Sequence, residues 1–505
     1  MHHHSSNHPK PTPTEATTVT PVLSRRTALV VLGVGGAAAL VSACSPTSDD
    51  PTPPAAGASL FVEPEILASS DGLLDVTLRA EPGSVTTGTG TRYGYTYNGQ
   101  SPGPTLRVRP GDRLTVTVEN ALEEPTNLHT HGLHVSPTGN SDNIFITIDP
   151  GQQHQFVYDI PTDHPGGLFW YHPHVHGTVA AQVAAGLLGA IIIDDDREQP
   201  AAAERLLILT DPARGDSPAA LRADPMDQMM GREGPTGLIN GITQPSLETT
   251  TGTLERWRIL NASPSRFYLL ALDGHQLHQI GSDGGLLERP HSRDQVLLTP
   301  GERAEVLINP TEPGTATLRA MPYDRGTAGM GMMRRSSSND DELVLATLDI
   351  AGDQAPPAPL PERLTDPERF ALAEPTATRT LTLGMGMGGG MMRGGSMMSF
   401  TIDGHEFEPG RIDIATELGQ VEEWTIRNDT PMDHPFHLHT WPFQVIDDPA
   451  TPGWKDTVNV PADGEVRIRI PLTDYTGTTV YHCHILDHED LGMMGTIDVA
   501  TTAGR

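Results

Sequence analysis

The stretch YHCHILDHEDLGMM at 481–494 gathers a thiol, three imidazoles and two thioethers into little more than one strand and one turn. Cys483, His488 and Met493 follow a C-x4-H-x4-M spacing. Thiolate, imidazole and a distant thioether are three of the four groups of a blue-copper electron-transfer site. His482 and His484 flank the cysteine. Successive side chains of an extended strand point to opposite faces. Cys483 therefore faces one way and its two neighbours the other, so a single strand can join a one-electron metal centre to a second metal site through covalent bonds.

The elements that position these residues are strands. The chain has 505 residues, with 52 glycines and 45 prolines and no long heptad pattern, which predicts an all-β protein of several domains rich in turns. The formal charge of −31 excludes nucleic acid as a partner, because phosphates are repelled. A solvated acidic coat accounts for most of that charge.

The N-terminus reads as a targeting segment over 1–43. Ser24-Arg25-Arg26-Thr27 precedes an apolar run at 28–43, too short to span a bilayer comfortably. This resembles a twin-arginine export signal. Val41-Ser42-Ala43-Cys44 resembles a lipoprotein cleavage box, with Cys44 the lipidated residue and 44–57 a flexible tether. The expected location is the cell envelope or the exterior, with a lipid at Cys44 as the only membrane attachment. If Cys44 is acylated, Cys483 is the one thiol left, kept for chemistry and not for a disulfide.

An internal repeat sets the architecture. A strand-like segment runs from a glycine to an asparagine nine positions on, at Gly111–Asn120, Gly252–Asn261 and Gly419–Asn428. Each copy alternates apolar and polar residues and follows a turn, Asn98-Gly99, Asn240-Gly241 or Asp403-Gly404. The pattern predicts three consecutive β-sandwiches, near 58–196, 203–350 and 377–500, with 355–361 as a Pro-rich linker. The outer two copies share their histidines. His129 and His131, like His437 and His439, lie nine and eleven beyond the asparagine. His172 and His174, like His482 and His484, each follow a tyrosine ten residues after a proline. The middle copy has Leu270 and Leu272 instead and reads as a spacer without metal ligands. Eight imidazoles meeting between the outer sandwiches suit several copper ions better than one zinc, which takes four ligands.

These motifs, together with His434-Pro-Phe-His437, resemble the multicopper oxidases of the three-domain laccase and cuprous oxidase type, over about 58–500. The resemblance implies three cupredoxin-like Greek-key sandwiches and four copper ions. It places His434, Cys483 and His488 on the type 1 copper, with Met493 axial. His129 and His437 fall on the type 2 copper. The type 3 pair falls to His131, His172 and His484 on one ion and to His174, His439 and His482 on the other. His134, His154, His164, His176, His275, His278, His291 and His405 match no motif position. The implied activity passes single electrons from a reductant through Cys483 to the three-copper site, where dioxygen becomes water. Glu489 matches the family's proton-relay position. Asp142 is a weaker candidate, since its loop SPTGNSDN departs from the usual pattern, and it reads as a solvated carboxylate. Asp456 is placed to orient a ligand histidine.

Methionine clustering bears on the reductant. Met385, Met387, Met391, Met392, Met397 and Met398 lie before the third turn, where cuprous oxidases carry a methionine-rich insert; smaller groups are Met226, Met229 and Met230, and Met330, Met332 and Met333. Thioethers favour Cu(I). This insert is shorter than the family's longest and has no histidines, and a ligand-free Gly/Met loop competes evenly with Cu(I) capture. Asp429 and Asp433 are expected to offer anionic groups near the type 1 edge. The expected substrates are Cu(I), phenols or aromatic amines, with dioxygen. Two other readings compete: a non-catalytic copper-binding or scaffold member of the same fold, and a copper nitrite reductase. Scaffolding relatives lose ligands, whereas every position is filled here. Nitrite reductases usually have two domains and lack the full histidine set.

Overall fold

The computed structural model describes residues 59–87, 90–195, 201–212, 217, 221–326, 342–387, 398–446, 448 and 450–501. The export and lipidation expectations at 1–57, and the methionines at 330, 332, 333, 391, 392 and 397, lie outside these residues. So does the side chain of Met387.

Six sheets pack as three pairs. A four-stranded and a five-stranded sheet are built from strands between Ile66 and Ile193. Six- and five-stranded sheets follow from strands between Ala203 and Ala351, and again between Ala377 and Ala500. Each pair closes over its own apolar core, centred on Val116 and Phe156, on Trp257 and Tyr268, and on Trp424 and Phe436. This is the all-β, three-sandwich architecture that the repeat predicts. Residues 59–61 run along the second sandwich, with Phe61 N–H donating to Ser246 O, before the chain enters the first.

The repeat has a physical cause at both ends. Asn98-Gly99, Asn240-Gly241 and Asp403-Gly404 all have positive φ at both residues, the type I′ geometry that matches the twist of flanking strands. At the other end, Asn120, Asn261 and Asn428 are buried corner residues. Each side-chain oxygen accepts from the N–H two residues on, at Leu122, Ser263 and Thr430. Each side-chain amide donates to carbonyls across the corner: Ile148, Leu298 and Val460 are among the acceptors. One asparagine thus folds the chain out of its strand and spans to the next.

The corner delivers the histidine strands in one register. In the first sandwich strand His129–His131 pairs with Gly167–His172, His129 opposite His172. In the third, His434–Leu438 pairs with Gly477–Cys483, His437 opposite His482. Three short helices join the sandwiches: α1 (Val179–Ala185), α2 (Pro225–Met230) and α3 (Leu486–Asp490). Apolar residues from all three sandwiches meet around α1, among them Trp170, Ile208, Leu260 and Leu486.

Replacing Asn261 by alanine should strand two buried carbonyls and one N–H in the sandwich that carries none of the paired histidines. The cost is about 2 kcal/mol, which thermal unfolding should register as a fall of roughly 4–8 °C in Tm.

Candidate metal centre

The strand Gly477–Cys483 ends where two clusters meet. On one face Cys483 is fully buried, with His434 Nδ1 3.4 Å and His488 Nδ1 3.9 Å from its Sγ. The two ring nitrogens are 3.3 Å apart. The far nitrogens of both rings are already engaged: His434 Nε2 lies 2.8 Å from Thr430 Oγ1 and His488 Nε2 3.1 Å from Met229 O. That leaves both Nδ1 lone pairs facing the sulfur. Ile485 N–H donates to Sγ at 3.4 Å. Met493 is buried in the same core cluster and its carbonyl accepts from Cys483 N–H at 3.0 Å. Burial pushes the thiol well up from its ordinary value and His434 down to about 3.

On the other face eight histidines from the first and third sandwiches converge, all 2% exposed or less. Rings stack across the seam, His129 on His439 and His131 on His437, with centroids 3.8 Å apart in each case. Their donor atoms fall into overlapping groups: His129, His131 and His437; His131, His172 and His484; His174, His439 and His482. Within the last, Nε2 of His482 is 3.2 Å from that of His174 and 3.1 Å from that of His439.

The outer nitrogens assign the tautomers. His129 Nδ1 faces both oxygens of Asp142 at 3.0–3.1 Å. His131 Nε2 faces Asp456 Oδ1 at 3.0 Å, and His437 Nδ1 donates to Asp456 O at 2.8 Å. His172 Nδ1 donates to Pro173 O at 2.9 Å and His482 Nδ1 to Cys483 O at 3.1 Å. The inner nitrogens, His129 Nε2, His131 Nδ1, His172 Nε2 and His437 Nε2, and both nitrogens of His484, have no hydrogen-bond partner among the described residues. Protons do not satisfy them. Burial holds His172 down at about 3 and His174 at about 4, and His129, His131, His437, His439 and His484 well below the ordinary imidazole value. Unpaired lone pairs in a dry cavity each cost about 1–3 kcal/mol, and metal cations remove that cost. Imidazole sets suit copper among few other ions, and a Cys-His2 group with a nearby methionine is the donor set of a blue-copper centre. The residues present therefore fit copper on both faces.

The carboxylates differ from one another. Glu489, on α3, is fully buried, 3.1 Å from His482 Nδ1 and 3.5 Å from His174 Nε2, with neither distance aligned as a hydrogen bond. Asp142 corrects the expectation of a solvated group. It is 1% exposed, accepts from Thr130 N–H at 2.8 Å, and is pushed up to about 7 by burial. Asp456 is buried, which alone would raise it, but the Arg303 guanidinium holds it below the usual carboxylate value. Asp433 corrects a second expectation: it faces inward, bonded to Tyr323 Oη, Asn459 Nδ2 and Ala462 N–H, and offers no free anion. Asp429 is exposed beside Arg427.

Sequence reasoning missed several contributors. Trp170 stacks on His172 with centroids 4.2 Å apart, and Phe400 stacks on His488 at 3.9 Å. Asp487 binds the Arg232 guanidinium, and Asp490 accepts from three N–H groups at the start of α1. The spacer expectation for the second sandwich is also incomplete. It brings no histidine into the seam, but Gly301 packs on His131 and His484 and Arg303 binds Asp456. Trp170 is local, two positions before His172 on the same strand face, where the period-2 pattern could have shown it; the others have no spacing signal, because each meets its partner from a distant part of the chain.

Comparison with known proteins agrees with the geometry. Three multicopper oxidase family models match residues 79–198, 214–335 and 376–503. The chain is 29% identical over 466 residues to a multicopper oxidase of Staphylococcus haemolyticus, covering 88% of this chain and 93% of that one. It is 28% identical to the cell division protein FtsP of Proteus mirabilis, covering 80% and 84%. The solved multicopper oxidase of Campylobacter jejuni, described as a metallo-oxidase, aligns with a TM-score of 0.74 at 30% identity, covering 88% of this chain and 98% of that one. With those matches spanning all three sandwiches, and with a cysteine triad and eight converging imidazoles between them, this chain belongs to the multicopper oxidases.

Proposed function

We propose that the protein couples one-electron oxidation of Cu(I), phenols or aromatic amines to the four-electron reduction of dioxygen to water. The observation that carries this reading is the backbone link: Cys483 opens on the sulfur-containing triad while His482 and His484 open on the histidine seam. When bound, copper supplies one-electron exchange at the triad and a multi-electron site for dioxygen at the seam. His434, Cys483 and His488 are assigned to the type 1 ion, with Met493 as the distant fourth group. His129 and His437 are assigned to the type 2 ion. The two trios described above, His131 with His172 and His484, and His174 with His439 and His482, are assigned to the type 3 pair. Asp142 and Asp456 hold ring tautomers so that the inner nitrogens keep their lone pairs. Glu489 is buried, but the imidazoles of His174 and His482 hold its carboxyl down at about 2, so it stands as a carboxylate able to accept a proton at Oε1 or Oε2 and pass it to the seam.

Neither type 1 imidazole reaches solvent, since Thr430 covers one outer edge and the end of α2 the other. A bulky reductant therefore meets protein before it meets a ring. Met230, Met385 and Met398 pack against the third-sandwich core, and Met385 pairs with Phe400, the residue stacked on His488. These thioethers favour Cu(I) as reductant. The similarity to FtsP supports a second reading, a non-catalytic envelope protein, but every copper-ligand position is filled here. Export and acylation at Cys44 complete the proposal and place the enzyme at the cell envelope.

The copper-loaded protein should show an intense blue absorption and take up oxygen with Cu(I) or a phenol. Cys483→Ser should lose the absorption and the uptake together. Glu489→Gln should keep the absorption while oxygen uptake falls by about a hundredfold. Changing the six methionines at 385, 387, 391, 392, 397 and 398 to leucine should slow Cu(I) oxidation about tenfold and leave phenol oxidation unchanged; equal rates for Cu(I) would remove the methionines from the substrate path. Folded-state values near 3–4 lie below the unfolded imidazole value of about 6.5. The unfolded chain then binds more protons in that window, so metal-free protein should lose stability as pH falls from about 6.5 towards 4. Denaturation midpoints across that range should show the loss, and copper loading should reduce it.

A further inference from the structure

Five charged side chains lie buried behind the histidine seam, where all three sandwiches meet. Lys455 and Asp456 are consecutive in the third sandwich. Lys455 Nζ is 2.9 Å from Asp283 and 2.7 Å from Glu302, both in the second. Asp456 receives the Arg303 guanidinium as a fork, Nη1 to Oδ1 at 2.7 Å and Nη2 to Oδ2 at 2.6 Å. The signs alternate along the row from Asp456 through Arg303, Asp283 and Lys455 to Glu302.

Arg303 is 1% exposed and its remaining donors are all committed. Nε donates to Leu168 O of the first sandwich at 3.0 Å, and Nη2 to Asp283 O at 2.8 Å. The pair also fills the space over Gly132, where a Cβ would lie 2.3 Å from Arg303 Nη2 and 2.5 Å from Asp456 Oδ2. Asp456 Oδ1 takes a third contact from Thr457 Oγ1 at 2.9 Å beside His131. The carboxylate therefore cannot turn about its own axis. Its side chain sets His131, from the first sandwich, and its carbonyl sets His437, from the third.

We propose that Arg303 is a positioning residue of the trinuclear site: the second sandwich, which lends no ligand, fixes through this guanidinium Asp456, whose carboxylate orients His131 of the first sandwich and whose carbonyl orients His437 of the third. The inference rests on the copper assignment above, in which His437 serves the type 2 ion and His131 a type 3 ion. A planar fork is required, because the guanidinium must reach two carboxylate oxygens and three carbonyls, those of Leu168, Gly301 and Asp283, at fixed angles. An ammonium supplies the charge without those directions.

The test is Arg303→Lys in the full chain loaded with copper. Copper per chain, the type 2 electron paramagnetic resonance signal and the blue absorption are read beside the Tm of the metal-free protein. The expected result is a retained blue absorption with copper lost from the histidine seam, read as a fall in copper per chain relative to the blue absorption, and oxygen uptake down by roughly ten- to hundredfold. If Arg303 serves only to hold the sandwiches together by charge, lysine lowers Tm and leaves the ratio of copper per chain to blue absorption unchanged, which overturns the proposal. Should that variant not fold, Asp456→Asn tests the same link from the other end. One remaining carboxamide oxygen cannot serve both Arg303 and His131, so a loss of copper from the histidine seam is again expected, and full copper per chain beside full blue absorption overturns the proposal equally. Wild-type protein without blue absorption or type 2 signal would instead refute the copper assignment itself.

Discussion

Everything in this structure depends on keeping a set of imidazoles neutral and dry at one seam. A histidine in water titrates near neutrality and would spend its lone pair on a proton or a solvent molecule. Burial at the junction of two sandwiches pushes the rings well below that range, and the outer nitrogen of most of them is tied to a carboxylate or carbonyl. The inner lone pairs then have nowhere to go but towards one another. Such an arrangement is costly for a folded protein alone, and a cation repays it directly. Metal affinity and the instability of the empty seam are two views of one constraint.

The cysteine strand shows how little chain is needed to couple two such sites. Alternation along a strand places Cys483 in the interior of the third sandwich and its neighbours in the seam. Antiparallel pairing with the strand His434–Leu438 supplies a partner on each side: His434 to the sulfur and His437 opposite His482. The one-turn helix α3 follows at once, so His488 folds back onto the sulfur while Glu489, one residue on, turns towards the seam. The same helix is held by neighbours in both other sandwiches, through Asp487 to Arg232 and Asp490 to the start of α1. Side chains on such a short element are held by what surrounds it, not by its own hydrogen bonds.

Legibility followed the range of each interaction. The strand-and-turn repeat and the histidine offsets are local, and the turns, corner asparagines and paired registers all stand where the spacing put them. Asp142 was misread because burial is a property of what covers a loop, and the loop SPTGNSDN carries no apolar pattern to announce it. Asp433 was misread for the same reason, since Tyr323 and Asn459 reach it from elsewhere in the chain. Arg303 was invisible: it sits 153 positions from Asp456, on a fully buried inner strand, Arg303–Ile308, whose sequence carries no spacing that points to the third sandwich.

Why the middle sandwich persists without a ligand follows from these contacts. Two edges bearing only histidines can face each other at several offsets, and stacked rings slide at little cost. A row of alternating charges cannot slide, because each step brings like signs together at buried positions. Such a row is a poor source of stability, since removing five charges from water costs about as much as their attraction returns. Its contribution is to register. Gly301, with φ +88, packs against His131 and His484 so closely that a Cβ would come within 3.0 Å of both rings. The second sandwich thus acts as the gauge that sets the spacing of the seam, although only the outer two bring histidines to it.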